Sequence, residues 1–86
     1  MNTLFSEKVR DVVRDIPEGE TLSYGAVAEA AGYPRAARAV ASVMSKNFDP
    51  TVPCHRVICS DGKLGGYNRG GENVKRNLLI QEGAVL

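Results

Sequence analysis

Ser23-Tyr24-Gly25-Ala26-Val27-Ala28-Glu29-Ala30-Ala31-Gly32-Tyr33-Pro34-Arg35-Ala36-Ala37-Arg38-Ala39-Val40-Ala41-Ser42-Val43-Met44-Ser45-Lys46 decides the fold. Ser23 has the chemistry of a helix N-cap, and the spacing after it predicts a short helix over 24–31. Gly32 fits the left-handed position that ends such a helix. Pro34 then suits the first turn of a second helix running to about Lys46. Its apolar set is Ala37, Val40, Val43 and Met44, with Arg35, Arg38, Ser42 and Ser45 on the opposite face. Two helices joined by a tight glycine-containing turn outline a helix-turn-helix, whose second helix would do the reading. Ala37, Ala39, Ala41 and Ser42 are small enough to let that helix approach a groove while Arg38 reaches in. Many helical hairpins have this outline and bind nothing.

Upstream, Phe5, Val9, Val12, Val13 and Ile16 recur at helical spacing, Thr3 or Ser6 can cap the start, and Pro17 forbids continuation. Downstream, 52–58 reads as an extended, buried segment, and Asp61-Gly62 as a turn. The run Gly65-Gly66-Tyr67-Asn68-Arg69-Gly70-Gly71 suits a binding lip or a plain connection. A last helix is expected over about 72–81, with Val74, Leu78 and Leu79 inward, Glu82 at its end and Gly83 closing it.

Eighty-six residues make one domain with a modest core. No run is long enough to span a membrane, and Met1-Asn2-Thr3-Leu4-Phe5-Ser6-Glu7-Lys8 lacks a secretory pattern. A cytoplasmic location with reduced thiols is the expectation. The net charge of +1 is unevenly spread. Residues 33–76 carry eight basic side chains against Asp49, Asp61 and Glu72, an excess of five that suits an anionic partner such as DNA.

Pro53-Cys54-His55-Arg56-Val57 carries the chemistry. Cys54 sits beside the only histidine of the chain. The thiolate is the nucleophile of cysteine chemistry, and a neighbouring imidazole or cation favours it. Cys59 is the only other cysteine. On an extended segment the two lie on opposite faces, which argues against a disulfide. A metal site needs about four ligands, and Cys54, His55 and Cys59 do not converge on one ion, so no metal is expected.

The pentapeptide around Cys54 resembles the active-site signature of the O6-alkylguanine-DNA alkyltransferases. Leu22-Ser23-Tyr24 with Val27-Ala28 is similar to that family's segment before the recognition helix. Ala36-Ala37-Arg38-Ala39-Val40 resembles the helix itself, Asn47 the hinge asparagine, Gly66-Tyr67 the active-site loop, and Leu78-Leu79 through Glu82-Gly83 the last helix end. The resemblance spans roughly residues 4–84. It implies a mainly α, winged-helix-like DNA-binding domain with a helix-turn-helix and a short β wing, occupying 1–86 without the family's usual N-terminal domain. It implies irreversible transfer of an alkyl group from O6-alkylguanine to Cys54 after base flipping, with no cofactor.

The same resemblance implies the roles. His55 takes the thiol proton through a water, and Glu82 orients the imidazole. Tyr24 donates to the guanine ring, and Asn47 serves the hinge. Arg38 fills the vacated stack from the minor groove, with Arg35, Ala37 and Ser42 on the DNA. The carbonyls of Cys54 and Val57 accept the exocyclic amine, and Tyr67 and Asn68 close over the base, Asn68 standing where many relatives have a small hydroxyl residue. Arg56 is expected to make structural hydrogen bonds. The partner implied is double-stranded DNA bound by a monomer. An alternative is an alkyltransferase-like sensor that binds the lesion and recruits another repair protein, although that class lacks the cysteine. A sequence-specific helix-turn-helix regulator would need polar readers where this helix has alanine and serine. A small-molecule thiol hydrolase has little support from the basic half.

Overall fold

The structure is a computed structural model describing residues 3–85, so Met1, Asn2 and Leu86 of the expected domain lie outside the described residues. The chain runs α1 (Thr3–Arg14), β1 (Leu22–Ser23), α2 (Tyr24–Ala30), α3 (Ala37–Ser45), a 3-10 turn (Cys54–Arg56), β2 (Val57–Ile58) and α4 (Gly71–Gln81). It is mainly α, as expected. The β part is one parallel pair, Leu22 opposite Val57 and Ser23 opposite Ile58. The wing at Asp61-Gly62 is a tight turn closed by the Cys59 N–H on the Lys63 carbonyl at 2.8 Å.

Ser23 caps α2 through Oγ, which accepts from the Ala26 N–H at 3.0 Å. At the other end Gly32 takes φ +92°, the Tyr33 N–H reaches the Ala28 carbonyl, and the Gly32 N–H reaches that of Glu29. That pair of bonds is a Schellman stop. Pro34 does not open α3. It lies in a turn closed by the Ala36 N–H on the Tyr33 carbonyl, and α3 starts at Ala37 without a side-chain cap. Arg35 therefore precedes the helix instead of lining its exposed face.

Helix α1 ends at Arg14, before Pro17, in a last turn tightened by bonds from the Asp15 and Ile16 N–H groups to the Val12 and Val13 carbonyls. Ser6 is buried within α1 and is no cap; the Thr3 side chain lies outside the described residues.

The core joins all four helices. Val9 and Val13 of α1, Val27 of α2, Val40 of α3, Val52, Val57 and Leu79 of α4 are almost fully enclosed. Each such side chain contributes about 1.5–3 kcal/mol of burial. Phe5 meets Tyr33 edge to face at 5.0 Å, pinning α1 to the turn between α2 and α3.

The inward face of α4 differs from expectation. Lys75 and Leu79 are buried, whereas Val74 is 39% exposed. Val74 lies over Gly70, where a Cβ would meet its Cγ2 at 2.7 Å. The register thus turns Lys75 into the interior.

Candidate active site

Cys54 is delivered by two consecutive turns, which replace the first part of the extended segment expected over 52–58; Val57–Ile58 is strand, as expected. Pro53, at φ −78° and ψ 70°, is the centre of an inverse γ-turn, with the Cys54 N–H on the Val52 carbonyl at 2.8 Å. A 3-10 turn follows, with the Arg56 N–H on the Pro53 carbonyl and the Val57 N–H on the Cys54 carbonyl. The geometry confines the sulfur but does not isolate it. Cys54 is 5% exposed and lines a cavity of about 400 Å³ with Tyr24, Ala41, Met44, Ser45, Gly66, Tyr67 and Asn68. That volume lies in the range of small-ligand sites. Both cysteines are free thiols.

His55 faces away into an acid–base cluster. Its Nε2 lies 2.9 Å from Glu82 Oε2. A carboxylate only accepts, so Nε2 carries the hydrogen in this bond. Its ring meets Tyr67 edge to face at 6.4 Å. Arg56 binds the same carboxylate as a fork, Nε to Oε1 at 2.9 Å and Nη2 to Oε2 at 2.7 Å, and its Nη1 donates to the Ile16 carbonyl at 2.7 Å. The Arg56 bond, followed by that from His55, holds the Glu82 carboxyl below its ordinary range against the opposing effect of burial. Glu82 thus ties the end of α4 to the 3-10 turn, and Arg56 ties that turn to Ile16 just past α1. The sequence suggested His55 as the partner of Glu82; the Arg56 fork was not foreseen.

Tyr24 starts α2 directly after the β1–β2 pair, which sets it beside Cys59. Burial raises its phenol above the ordinary range, and charge on Cys59 and then Cys54 adds to the effect. Tyr67, on the facing loop, is raised in the same way by burial and then Cys54. Between these groups lies Lys75, which the sequence reading passed over. Its side chain is fully enclosed, with no carboxylate within ion-pair distance among the described residues. Its ammonium has the Gly66 carbonyl at 3.4 Å and the face of the Tyr24 ring at 5.8 Å. Burial lowers its pKa, and the sulfurs of Cys54 and Cys59 oppose that fall. A buried ammonium is costly without an anion, and its contacts here, among the described residues, are a carbonyl and an aromatic face alone. No group of three or more histidine, cysteine or acidic side chains could hold a metal among the described residues.

Asn47 is buried after α3, its amide at 3.5 Å from the Asp49 carbonyl. Asn68 Nδ2 donates to the Asn47 carbonyl at 2.8 Å and the Ser45 carbonyl at 2.9 Å, with that of Met44 at 3.4 Å. Its side-chain donors are therefore spent on the end of α3, not offered to the cavity, and they clasp the Tyr67 loop to that helix. Val57 is fully buried in β2. Arg38 and Ser42 are exposed on α3 and Ala37 is half-buried there, while Arg35 is exposed just before it. Arg38 stands about one turn before Ala41, a wall of the cavity.

Three comparisons bear on this geometry. Residues 4–84 match the family model described as 6-O-methylguanine DNA methyltransferase, DNA binding domain. A methylated-DNA–protein-cysteine methyltransferase of Methanothermobacter thermautotrophicus is 49% identical over 86 residues, covering 98% of this chain and 47% of the relative. The match covers between about a third and a half of the length of curated relatives such as this one. A Mycobacterium tuberculosis OGT solved in complex with DNA superposes with a TM-score of 0.85 at 49% identity, over 91% of this chain and 48% of that one. Schizosaccharomyces pombe Atl1, solved with damaged DNA containing O6-carboxymethylguanine, gives a TM-score of 0.85 at 34% identity, over 96% of this chain and 79% of that one.

Proposed function

Because the chain belongs to the family of 6-O-methylguanine DNA methyltransferase DNA-binding domains, we propose that it repairs O6-alkylguanine in DNA by taking the alkyl group onto Cys54. The observation that carries this reading is the place of Cys54, which lines a cavity large enough for a small ligand, walled on one side by Ala41, Met44 and Ser45. Relatives across that span are named methylated-DNA–protein-cysteine methyltransferases, which supports the chemistry.

In the reaction, the lesion base leaves the stack and enters the cavity at a cost of a few kcal/mol. His55 Nδ1 takes the thiol proton through a water, while Glu82 stabilises the imidazolium that forms. Lys75 holds positive charge beside the resulting thiolate. The sulfur attacks the alkyl carbon, an S–C bond forms, the C–O6 bond breaks and its electron pair stays on the purine. The Tyr24 hydroxyl donates a hydrogen bond that offsets the charge on the leaving guanine, and the proton taken up by His55 returns through solvent to neutralise the released purine anion. The S-alkyl thioether has no route back, so each molecule reacts once. The reducing conditions this thiol needs fit a cytoplasmic setting. Incubation with excess duplex carrying O6-methylguanine tests this directly. One guanine restored per protein molecule supports the reading, and continued turnover or no restoration sinks it.

The sensor alternative draws on the likeness to Atl1. Cys54 itself argues against it, since a lesion sensor has no use for a nucleophile poised at its cavity.

Lys75→Met is expected to fold at least as stably as the parent, because an apolar side chain replaces an unpaired buried charge. Transfer at neutral pH should slow by about tenfold or more, the worth of one opposite charge beside the reacting group. A single-turnover transfer rate beside a melting curve checks both halves. Arg38→Ala is expected to slow transfer from duplex by about a hundredfold, given that extrusion costs a few kcal/mol and each 1.4 kcal/mol is tenfold. Reaction with the free base O6-benzylguanine should be unchanged, since no stack has to be filled.

A further inference from the structure

Helix α3 has a hollow on each flank. Ala41, Met44 and Ser45 wall the Cys54 cavity. Ala39, Ser42, Val43 and the capping Lys46 wall a second groove of about 400 Å³, whose far side is Phe5 and Arg10 of α1. At 3.6 residues per turn the two sets fall on opposite flanks of the helix. Arg38 is exposed on the ridge between them, with Ser42 and Ser45 one and two turns further on.

The reaction gives the second groove no task. Phe5 and Val43 supply an apolar floor, and Arg10 and Lys46 supply one cation from each helix. Lys46 is exposed and Arg10 half-buried. Arg14, Arg56, Lys63 and Arg76 each meet a carboxylate, whereas among the described residues Arg10 and Lys46 meet none. A sugar–phosphate backbone matches such a groove, with an apolar deoxyribose face and one negative charge per nucleotide. A groove of the duplex is walled by two backbones, so a helix seated along it has one strand on each flank. With Arg38 turned into the stack, the strand that gives up its base lies on the cavity flank of α3. Its complement lies on the other flank, over Arg10 and Lys46.

We propose that the α1–α3 groove holds the backbone of the strand opposite the lesion, with Arg10 and Lys46 each on a phosphate. The proposal rests on the DNA-binding reading above and extends it to the second strand. A complement held there keeps the duplex seated on α3 while the damaged base leaves the stack.

Counterion release tests the contacts. Affinity for an undamaged fluorescent duplex is measured by anisotropy over about 50–200 mM salt, where each phosphate contact adds about 0.9 to the log–log slope. Arg10→Gln and Lys46→Gln are each expected to flatten the slope by about 0.9, and so to lose about three- to fourfold less affinity than the parent over that range. Arg76→Gln removes the same charge from α4, where it pairs with Glu72, and should keep the parent slope. Unchanged slopes in both groove variants overturn the proposal and leave the groove to an acidic protein partner. Equal flattening by Arg76→Gln overturns it too, because the effect is then one of net charge. Single neutral methylphosphonates placed near an O6-methylguanine assign the strand, with Cys54→Ala as the binding protein so that no transfer intervenes. One such linkage in the complementary strand should weaken binding severalfold, and Arg10→Gln or Lys46→Gln added to Cys54→Ala should abolish that sensitivity. Sensitivity abolished on the lesion strand instead overturns the assignment. Absence of duplex binding by the parent protein overturns the DNA-binding reading itself, before any variant is compared. Should Arg10→Gln fail to fold, Lys46→Gln, at an exposed position, decides the outcome alone.

Discussion

Cys54→Ala is expected to abolish alkyl transfer while leaving lesion binding near the parent level. The two effects separate because the sulfur and the DNA-facing groups belong to different elements. The acceptor atom is on the 3-10 turn, whereas Arg38 is on α3 and Tyr24 begins α2. Removing one buried sulfur atom leaves a small void costing about 1 kcal/mol, too little to unfold the domain. Cys54→Ser should be equally inactive, because a hydroxyl does not ionise where a thiol does. Cys59→Ala should still accept one alkyl group, since Cys59 does not line the Cys54 cavity. Methyl-labelled duplex with the three variants reads this out. Label on Cys54→Ala, or loss of label in a folded Cys59→Ala, would contradict the assignment of the nucleophile.

Glu82→Gln is expected to damage stability and chemistry together. The carboxylate accepts from His55 and from both ends of the Arg56 fork. An amide keeps one acceptor and turns an N–H₂ toward donors. Breaking such a half-buried charged cluster costs about 3 kcal/mol, which for a domain of this size is about 12–24 °C in melting temperature. The pH dependence has a definite sign. Glu82 has a lowered pKa in the fold, with Arg56 the largest cause. Its stabilisation is therefore fully present above the ordinary carboxylate range and is lost as pH falls through the depressed folded value. The parent should lose stability in acid below about pH 4, and Glu82→Gln should lack that component. Transfer should also slow, because the imidazole loses the partner that fixes its Nε2 hydrogen. Equal acid profiles for parent and variant would remove Glu82 from this role.

How far the sequence could be read depended on how local each signal was. Ser23 and Gly32 were legible because a cap and a left-handed stop act within a few residues. Pro34 misled by three positions: proline suits a helix start, but the Tyr33–Ala36 turn uses its fixed φ first. The stretch before β2 looked extended because Pro53 and its hydrophobic neighbours give the same pattern for a strand and for two tight turns. Cys54 and His55 stood out by their adjacency and Glu82 through the resemblance; the structure sets Glu82 on His55. Lys75 was not, because a lysine on an amphipathic helix counts as an outward residue. Only the packing of Val74 over Gly70 reveals that the register turns it inward. The Asn68 clasp and the Arg56 fork join groups more than twenty residues apart, and no local pattern marks them.

The central claim is that Cys54 itself becomes alkylated by damaged DNA. Intact mass after exposure to duplex containing O6-methylguanine, followed by peptide mapping, measures it most directly. The account predicts a gain of one methyl group per chain, carried by the peptide that includes Cys54. Tight lesion binding with no gain in mass, or a methyl group on Cys59 instead, would contradict it.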